Sequence, residues 1–346
     1  MKTLLLQTVK SLKSEAKKLL FRINDNKFER IRYENDIKGR AKLPFTEIAK
    51  LSKDIYIYSP HSSEILSSND YYAHASTLKK YLKLKQKYQF KFIIEHGISV
   101  GSTIVELEKE SPFRSAIVCS KPRANIWRKE GYHSYSIGPY INYAKPLLTK
   151  KQYIREKTRL GNNLLVFPAH STKDVSVLYN VNNFCKIIEK YAKKYDSVRV
   201  CLYWKDILMG IGKIYQSYGF ECVTAGHILD YNFLSRLKSI IETSTETMSN
   251  DLGSYSGYSL FLGKPHFIIK QELSLRGRQS EIDISEEGRR STIFNKMLSA
   301  FSQKHNTITK KQLQLANYYY GFDKIKTKNE LLKIVSLTEK LYANQK

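Results

Sequence analysis

The chain has 346 residues, enough for two domains and a substantial core. Its 42% hydrophobic and 26% charged residues exclude wholesale disorder, and no apolar run approaches the roughly 20 residues that cross a bilayer. A net charge of +26 implies an anionic partner (nucleic acid, an anionic membrane surface or a phosphorylated substrate) or else a lysine-rich solvated surface.

Four cysteines, Cys119, Cys185, Cys201 and Cys222, sit inside apolar runs without CxxC spacing. That spacing gives neither a zinc site nor a disulfide framework, and it predicts buried reduced thiols in a cytoplasmic protein. At the N-terminus, Leu5, Val9, Leu12, Ala16, Leu19 and Ile23 recur at helical spacing between lysines. Such a basic amphipathic helix either packs on its own domain or lies on an anionic leaflet at the inner face of a plasma membrane.

Short apolar runs predict buried strands at 54–59 (DIYIYS), 91–95 (KFIIE), 115–120 (SAIVCS) and 135–138 (YSIG). A helical pattern over 72–88 lies between the first two. The alternation predicts a parallel sheet. Residues 146–161 carry no strong pattern and read as a connection. The alternation restarts with strands at 164–168, 198–203, 220–224, 247–250 and 266–269. Helices at 181–195, 207–218, 232–243 and 252–262 fall between them. Five strands joined by four helices predict a doubly wound α/β domain. Residues 274–291 are polar and read as a loop, and helices follow at 292–304, 309–320 and 328–342. The predicted organisation is an α/β domain over 1–145, a second over 160–272 and a helical extension over 273–346.

Ligands of doubly wound sheets bind beyond the carboxyl ends of the strands, so residues just after each strand are the candidates. The stretch TMSNDLGSYSGYSLFLGKPHFII, residues 247–269, ends a strand at Ser249. It then opens a helix with Asp251, Gly253, Ser254, Ser256 and Gly257. Small residues at a helix start let a phosphate reach exposed amides, or they merely cap and pack the helix. His170, Ser171 and Thr172 follow the first strand of the second domain and can offer hydrogen bonds to a donor phosphate. Gly226 and His227 follow the third. Lys205 and Asp206 follow the second and read as a solvated pair. In the first domain, Glu95, His96 and Gly97 end a strand. Imidazole can take a proton from a hydroxyl at neutral pH, with Glu95 orienting it or acting as the base itself. His61 and Tyr140 also fall at strand ends. There is no HExxH, EF-hand, P-loop or GxSxG pattern, and no metal constellation.

The segment 160–270, with its Ser/Gly-rich helix start and Gly263-Lys264-Pro265 before the last strand, resembles the donor-binding part of GT-B glycosyltransferases and of sugar-nucleotide 2-epimerases. Those families often carry an acidic residue in this helix, where this chain reads Gly257-Tyr258-Ser259. His96-Gly97 after a strand is similar to a motif of CDP-glycerol glycerophosphotransferases. The resemblance implies two Rossmann-like α/β domains facing a central cleft, with C-terminal helices. It implies a metal-independent glycosyltransferase of bacterial capsule or lipopolysaccharide synthesis, with a nucleotide-activated sugar as donor substrate and no cofactor. Its donor site would hold His170, Ser171, Thr172, Gly226, His227, Ser249, Asp251, Gly253, Ser254, Ser256 and Gly257. Its catalytic base would be His96 or Glu95, and Gly97, His61 and Tyr140 would touch a glycan or lipid-linked acceptor. Transfer of an alditol phosphate from a CDP-linked donor, sugar-nucleotide epimerisation and nucleic-acid binding are the alternatives. The last has charge in its favour but no recognisable motif.

Overall fold

The computed structural model describes residues 27–55, 64–95, 103–104, 106–109, 111–172 and 175–344. The predicted N-terminal amphipathic helix and most of the predicted strand at 54–59 lie outside them. After helices α1 (Lys27–Lys42) and α2 (Ile48–Ser52), a 3₁₀ helix over Ser67–Ala73 runs into α3 (His74–Leu82). Three short parallel strands follow in the order β1 (Ile93–Ile94), β2 (Ser115–Val118) and β3 (His133–Ser136). Helices α4 (Glu106–Lys109) and α5 (Lys121–Lys129) connect them.

Residues 150–160, expected to be a connection, form helix α6 (Lys150–Leu160). Its start is fixed by a capping box in which Thr149 and Gln152 satisfy each other's backbone amides. The second half then lays down β4 (Asn163–Phe167), β5 (Val175–Leu178), α7 (Val181–Ala192) and β6 (Ser197–Cys201). It continues with α8 (Trp204–Leu208), α9 (Ile211–Ser217), β7 (Glu221–Val223), α10 (Phe233–Glu242), β8 (Glu246–Ser249), α11 (Ser254–Phe261) and β9 (His266–Ile268). Five of these strands form one parallel sheet in the order β7-β6-β4-β8-β9. All five residues of β4 are buried, as expected for a central strand covered on both faces. The single helix predicted over 207–218 is two, because Gly210 takes φ +82 between them.

The predicted loop at 274–291 is instead ordered structure. Strand β10 (Ser274–Gly277) pairs antiparallel with β5, and α12 (Gln279–Arg290) follows. Helices α13 (Thr292–Phe301), α14 (Lys310–Tyr320) and α15 (Lys328–Ala343) complete the chain. The observed class is the expected one: α/β with two parallel sheets and C-terminal helices.

One apolar cluster joins the two sheets. Phe90, Ile94, Ile117 and Tyr140 from the first half meet Phe167, Cys201, Val223 and Leu237 from the second. Helix α15 returns to the first half, adding Leu331 and Val335 to that cluster and setting Tyr342 edge-on to Phe113. The other face of the five-stranded sheet packs on α7, where Leu164, Val166 and Val200 cover Phe184 and Ile188. Burial of this kind contributes roughly 1.5–3 kcal/mol per large side chain.

Candidate active site

A cavity of about 450 Å³ opens at the carboxyl ends of β4, β6 and β7. Phe167, Pro168, His170 and Thr172 line it from the end of β4, and Cys201, Leu202 and Tyr203 from the end of β6. Ala225, three α10 residues (Phe233, Leu234, Leu237) and the start of α11 (Gly253, Ser254, Tyr255, Tyr258) complete the second-half wall, with Ser285 of α12. The first half supplies Tyr72 and His74. The site therefore lies where an open parallel sheet is expected to bind ligands, with two residues contributed across from it.

Among the described residues, no Lys, Arg, Asp or Glu lines the cavity, despite the net charge of +26. The wall is apolar and aromatic, with a few hydroxyls and two imidazoles. Burial drives the phenols of Tyr203, Tyr255 and Tyr258 well above the ordinary tyrosine range, so they remain protonated donors. Burial also pushes the Cys201 thiol up to about 12.

The loop after β4 is held from two sides. The Ser171 amide donates to both oxygens of Asp206, at 3.3 Å each. Ser171 Oγ accepts from the Val177 amide at 3.2 Å, and Lys205 Nζ donates to the Thr172 carbonyl at 2.7 Å. Asp206 is 8% exposed, which corrects the expectation of a solvated Lys205–Asp206 pair. Burial raises its carboxyl pKa, partly offset by His170 and the Ser171 hydrogen bonds. His170 is half-buried, its ring tilted over Tyr203 with centroids 4.5 Å apart and its Nδ1 3.0 Å from the Ser171 carbonyl.

Helix α11 is N-capped by Gly253, which supplies no side-chain cap; only its carbonyl takes part, accepting from the Ser256 amide at 3.1 Å. Behind this start lies a buried polar network. His266 places Nδ1 2.8 Å from Thr247 Oγ1, and Nε2 3.1 Å from Ser249 Oγ and 3.0 Å from Ser256 Oγ. Ser249 and Ser256 thus fix the end of β8 to α11 rather than face the cavity. Asp251 pairs with Arg289 of α12 at 2.6 Å. A Cβ at Gly257 would overlap the Tyr320 ring, so this glycine admits α14.

Of the residues expected from sequence, His170, Thr172, Gly253 and Ser254 line the cavity. Ser171 sits behind the loop as its anchor. Gly226 and His227 lie beneath, where the His227 amide donates to the Leu51 carbonyl at 3.0 Å and its ring lies against Trp204. Burial lowers the His227 pKa to about 4. Tyr140 is buried, its hydroxyl donating to the Glu95 and Ile117 carbonyls, which corrects its expected role as an acceptor contact. Glu95 is also corrected as a base: its Oε1 accepts from Arg123 Nε at 3.0 Å, from Arg123 Nη2 and from Trp127 Nε1 at 2.8 Å. A carboxylate held so, 5% exposed, is part of a buried ion pair. His96, Gly97 and His61 lie outside the described residues.

Sequence reasoning missed Tyr72, Tyr203 and His74. His74 starts α3 and lies 4.3 Å from Tyr140, ring to ring. The preceding Tyr72 and Ala73 take φ +55 and +64, a left-handed pair that non-glycine residues rarely adopt. The strain turns the chain so that both Tyr72 and His74 face the cavity, and the Tyr72 amide donates to Ile228 of the second half at 2.8 Å. No single-sequence pattern marks such a turn. Among the described residues, no three His, Cys, Asp or Glu side chains converge as metal ligands, and no helix is long and apolar enough to cross a membrane.

No family model matches the chain, and no curated protein matches it. Solved structures do resemble it. One is UDP-GlcNAc 2-epimerase from Neisseria meningitidis bound to UDP-GlcNAc, with 12% identity over 74% of this chain and 69% of that one, TM-score 0.37. A second is S. aureus MnaA with UDP, 8% identical over 85% and 89%, TM-score 0.38. A third is the wall teichoic acid polymerase TagF, 13% identical over 76% and 70%, TM-score 0.42.

Proposed function

We propose that this chain transfers a sugar from a nucleotide-activated donor to a hydroxyl of a glycan or lipid-linked acceptor. The observation that carries the reading is that the start of α11, His170 and Thr172, and two first-half residues all open onto one shared cavity. Donor phosphates would lie against Gly253 and Ser254, where the helix dipole and backbone amides favour negative charge. Thr172 and the tyrosine hydroxyls would add neutral hydrogen bonds. In this reading the leaving diphosphate is stabilised by those groups rather than by a metal. The acceptor would enter from the side of Tyr72 and His74. The aromatic walls suit the flat faces of a nucleobase or a sugar ring. The two α/β units, 1–145 and 160–272, would thus divide acceptor and donor between them. The basic exterior would hold the protein near anionic lipid and lipid-carried acceptors in capsule or lipopolysaccharide assembly.

The test is a thermal-shift series against UDP, GDP, CDP, CMP, ADP and dTDP at low and high salt. A ligand at 100 times its Kd stabilises the folded state by ~2.7 kcal/mol. One nucleotide is expected to raise Tm at both salt concentrations. A flat response to all six would overturn the reading, and a response to CDP alone would turn it toward alditol-phosphate transfer.

A further inference from the structure

His170 is the cavity imidazole whose surroundings fix its tautomer. Its Nδ1 lies 3.0 Å from the carbonyl oxygen of Ser171. A carbonyl oxygen only accepts, so in the neutral ring Nδ1 carries the hydrogen and Nε2 keeps a lone pair. Among the described residues no partner engages Nε2. The loop that presents the ring is anchored at the next residue by Asp206, through the Ser171 amide, and at Thr172 by Lys205. Tyr203 supports one face of the ring. The ring is half-buried at the cavity wall, whereas the other cavity imidazole, His74, is 2% exposed between Tyr72 and Tyr140. A group that takes a proton from a substrate must be reachable by it, and of these two described imidazoles His170 meets that condition.

We infer that His170 Nε2 is the proton acceptor of this cavity and that Asp206 is its positioning residue. The inference rests on the transfer reading above. In that step the acceptor hydroxyl gives its proton to Nε2 and its oxygen bonds to the anomeric carbon. The bond from that carbon to the donor phosphate oxygen breaks, and the nucleotide (a nucleoside diphosphate, or CMP from a CMP-sugar) leaves with the electron pair. His170 then releases the proton to water. The tautomer also separates this role from the phosphate contact expected from sequence, because a neutral ring with hydrogen on Nδ1 has nothing to donate from Nε2.

Two measurements decide it. The first is nitrogen-15 imidazole NMR of the ligand-free protein near pH 8, assigned by the spectrum of His170→Gln. The expected signals are a protonated Nδ1 and an unprotonated Nε2. A ring protonated at Nε2 would overturn the assignment whatever the reaction is. The second is nucleotide release from UDP-, GDP-, CMP- and dTDP-sugars. For a sugar nucleotide that wild type cleaves, His170→Gln is expected to lower kcat ~100-fold or more, with KM within about threefold. It should also remove the acidic limb of the pH–rate profile. Asp206→Asn should lower kcat less, ~10-fold, and shift that limb without removing it. Wild-type-like kcat in His170→Gln, with nucleotide binding intact, would sink the base assignment and leave the transfer reading standing. Absence of both binding and cleavage in wild type would sink the transfer reading and the base role with it.

Discussion

The two sheets finish their strands in opposite ways. At the end of β1, Glu95 turns inward to Arg123 and Trp127, and Tyr140 closes the same corner by donating to the Glu95 carbonyl. At the end of β4, the carboxylate of Asp206 also goes inward, but it holds a backbone amide and leaves the neighbouring imidazole at the cavity wall. At β1 a carboxylate and a histidine adjoin the strand end in the sequence; at β4 the histidine does, and the carboxylate comes from the segment after β6. In the first the carboxylate is consumed by a cation. In the second it fixes a loop whose preceding side chain, His170, still meets the cavity. Residue type and position after a strand mark both places as candidates. Which of them can act on a ligand depends on what the carboxylate touches.

The comparison breaks most easily at Glu95. Removing one partner of a buried, hydrogen-bonded ion pair leaves the other charge uncompensated, at a cost of ~3–5 kcal/mol. Glu95→Ala is therefore expected to lower the denaturant midpoint strongly. A second variant, Glu95→Ala with Arg123→Met, should recover much of that loss, because no lone charge remains. Nucleotide-induced stabilisation of whatever fraction folds should be unchanged. Wild-type stability for Glu95→Ala, with a specific loss of turnover, would return Glu95 to the chemistry and erase the contrast.

A second set of measurements sharpens the second half. Burial holds the imidazoles of His227 and His266 neutral, with pKa values lowered to about 4 and about 3. Between the unfolded value near 6.5 and these values, the unfolded state binds more protons, so stability falls as pH falls. Each histidine should cost roughly 2 kcal/mol by pH 5. Glu64 works the other way: burial raises its carboxyl to about 7, so it gains protons on the folded side as pH falls from 7 toward 4.5. The variants therefore carry the test rather than the wild-type slope. His227→Gln and His266→Gln should each flatten the dependence of unfolding free energy on pH between 6.5 and 5 by ~1 kcal/mol per pH unit on average. Slopes identical to wild type in both variants would show that these rings are not buried neutral groups.

The second sheet was legible because buried parallel strands are written as unbroken apolar runs, as in Leu164–Leu165–Val166–Phe167. The ribbon of β5 and β10 was not, because its residues are half-exposed and mixed, and its pairing joins segments about a hundred residues apart. Helix α6 carried a readable start in Thr149 and Gln152, which its basic, polar sequence obscured. Within the site, His170, Thr172, Gly253 and Ser254 were found because each follows a strand. Asp206 was misread because its burial comes from the Ser171 amide, 35 positions earlier, and no local pattern encodes that contact. Tyr72 and His74 reach the cavity through a left-handed backbone pair and a cross-half contact, which are also tertiary facts, whereas Tyr203 follows β6 and was readable from its place at a strand end.

Gly257 provides the smallest and most selective test of the α11 region. In the sequence it stands with Gly253 and Ser254 as a small residue near a helix start, and all three could serve a phosphate. In the fold, Gly253 and Ser254 reach the cavity, while Gly257 faces Tyr320 of α14. Gly257→Ala should therefore act as overpacking, costing ~1–3 kcal/mol of stability with nucleotide affinity within about twofold. The cost should shrink in a Tyr320→Ala background, where the added methyl group has room, and a double-mutant cycle reads that coupling directly. Ala at 257 that weakened nucleotide binding without lowering Tm would place the phosphate at the middle of α11 instead. That outcome would also move the donor away from His170, so the cycle bears on the base assignment as well as on the packing.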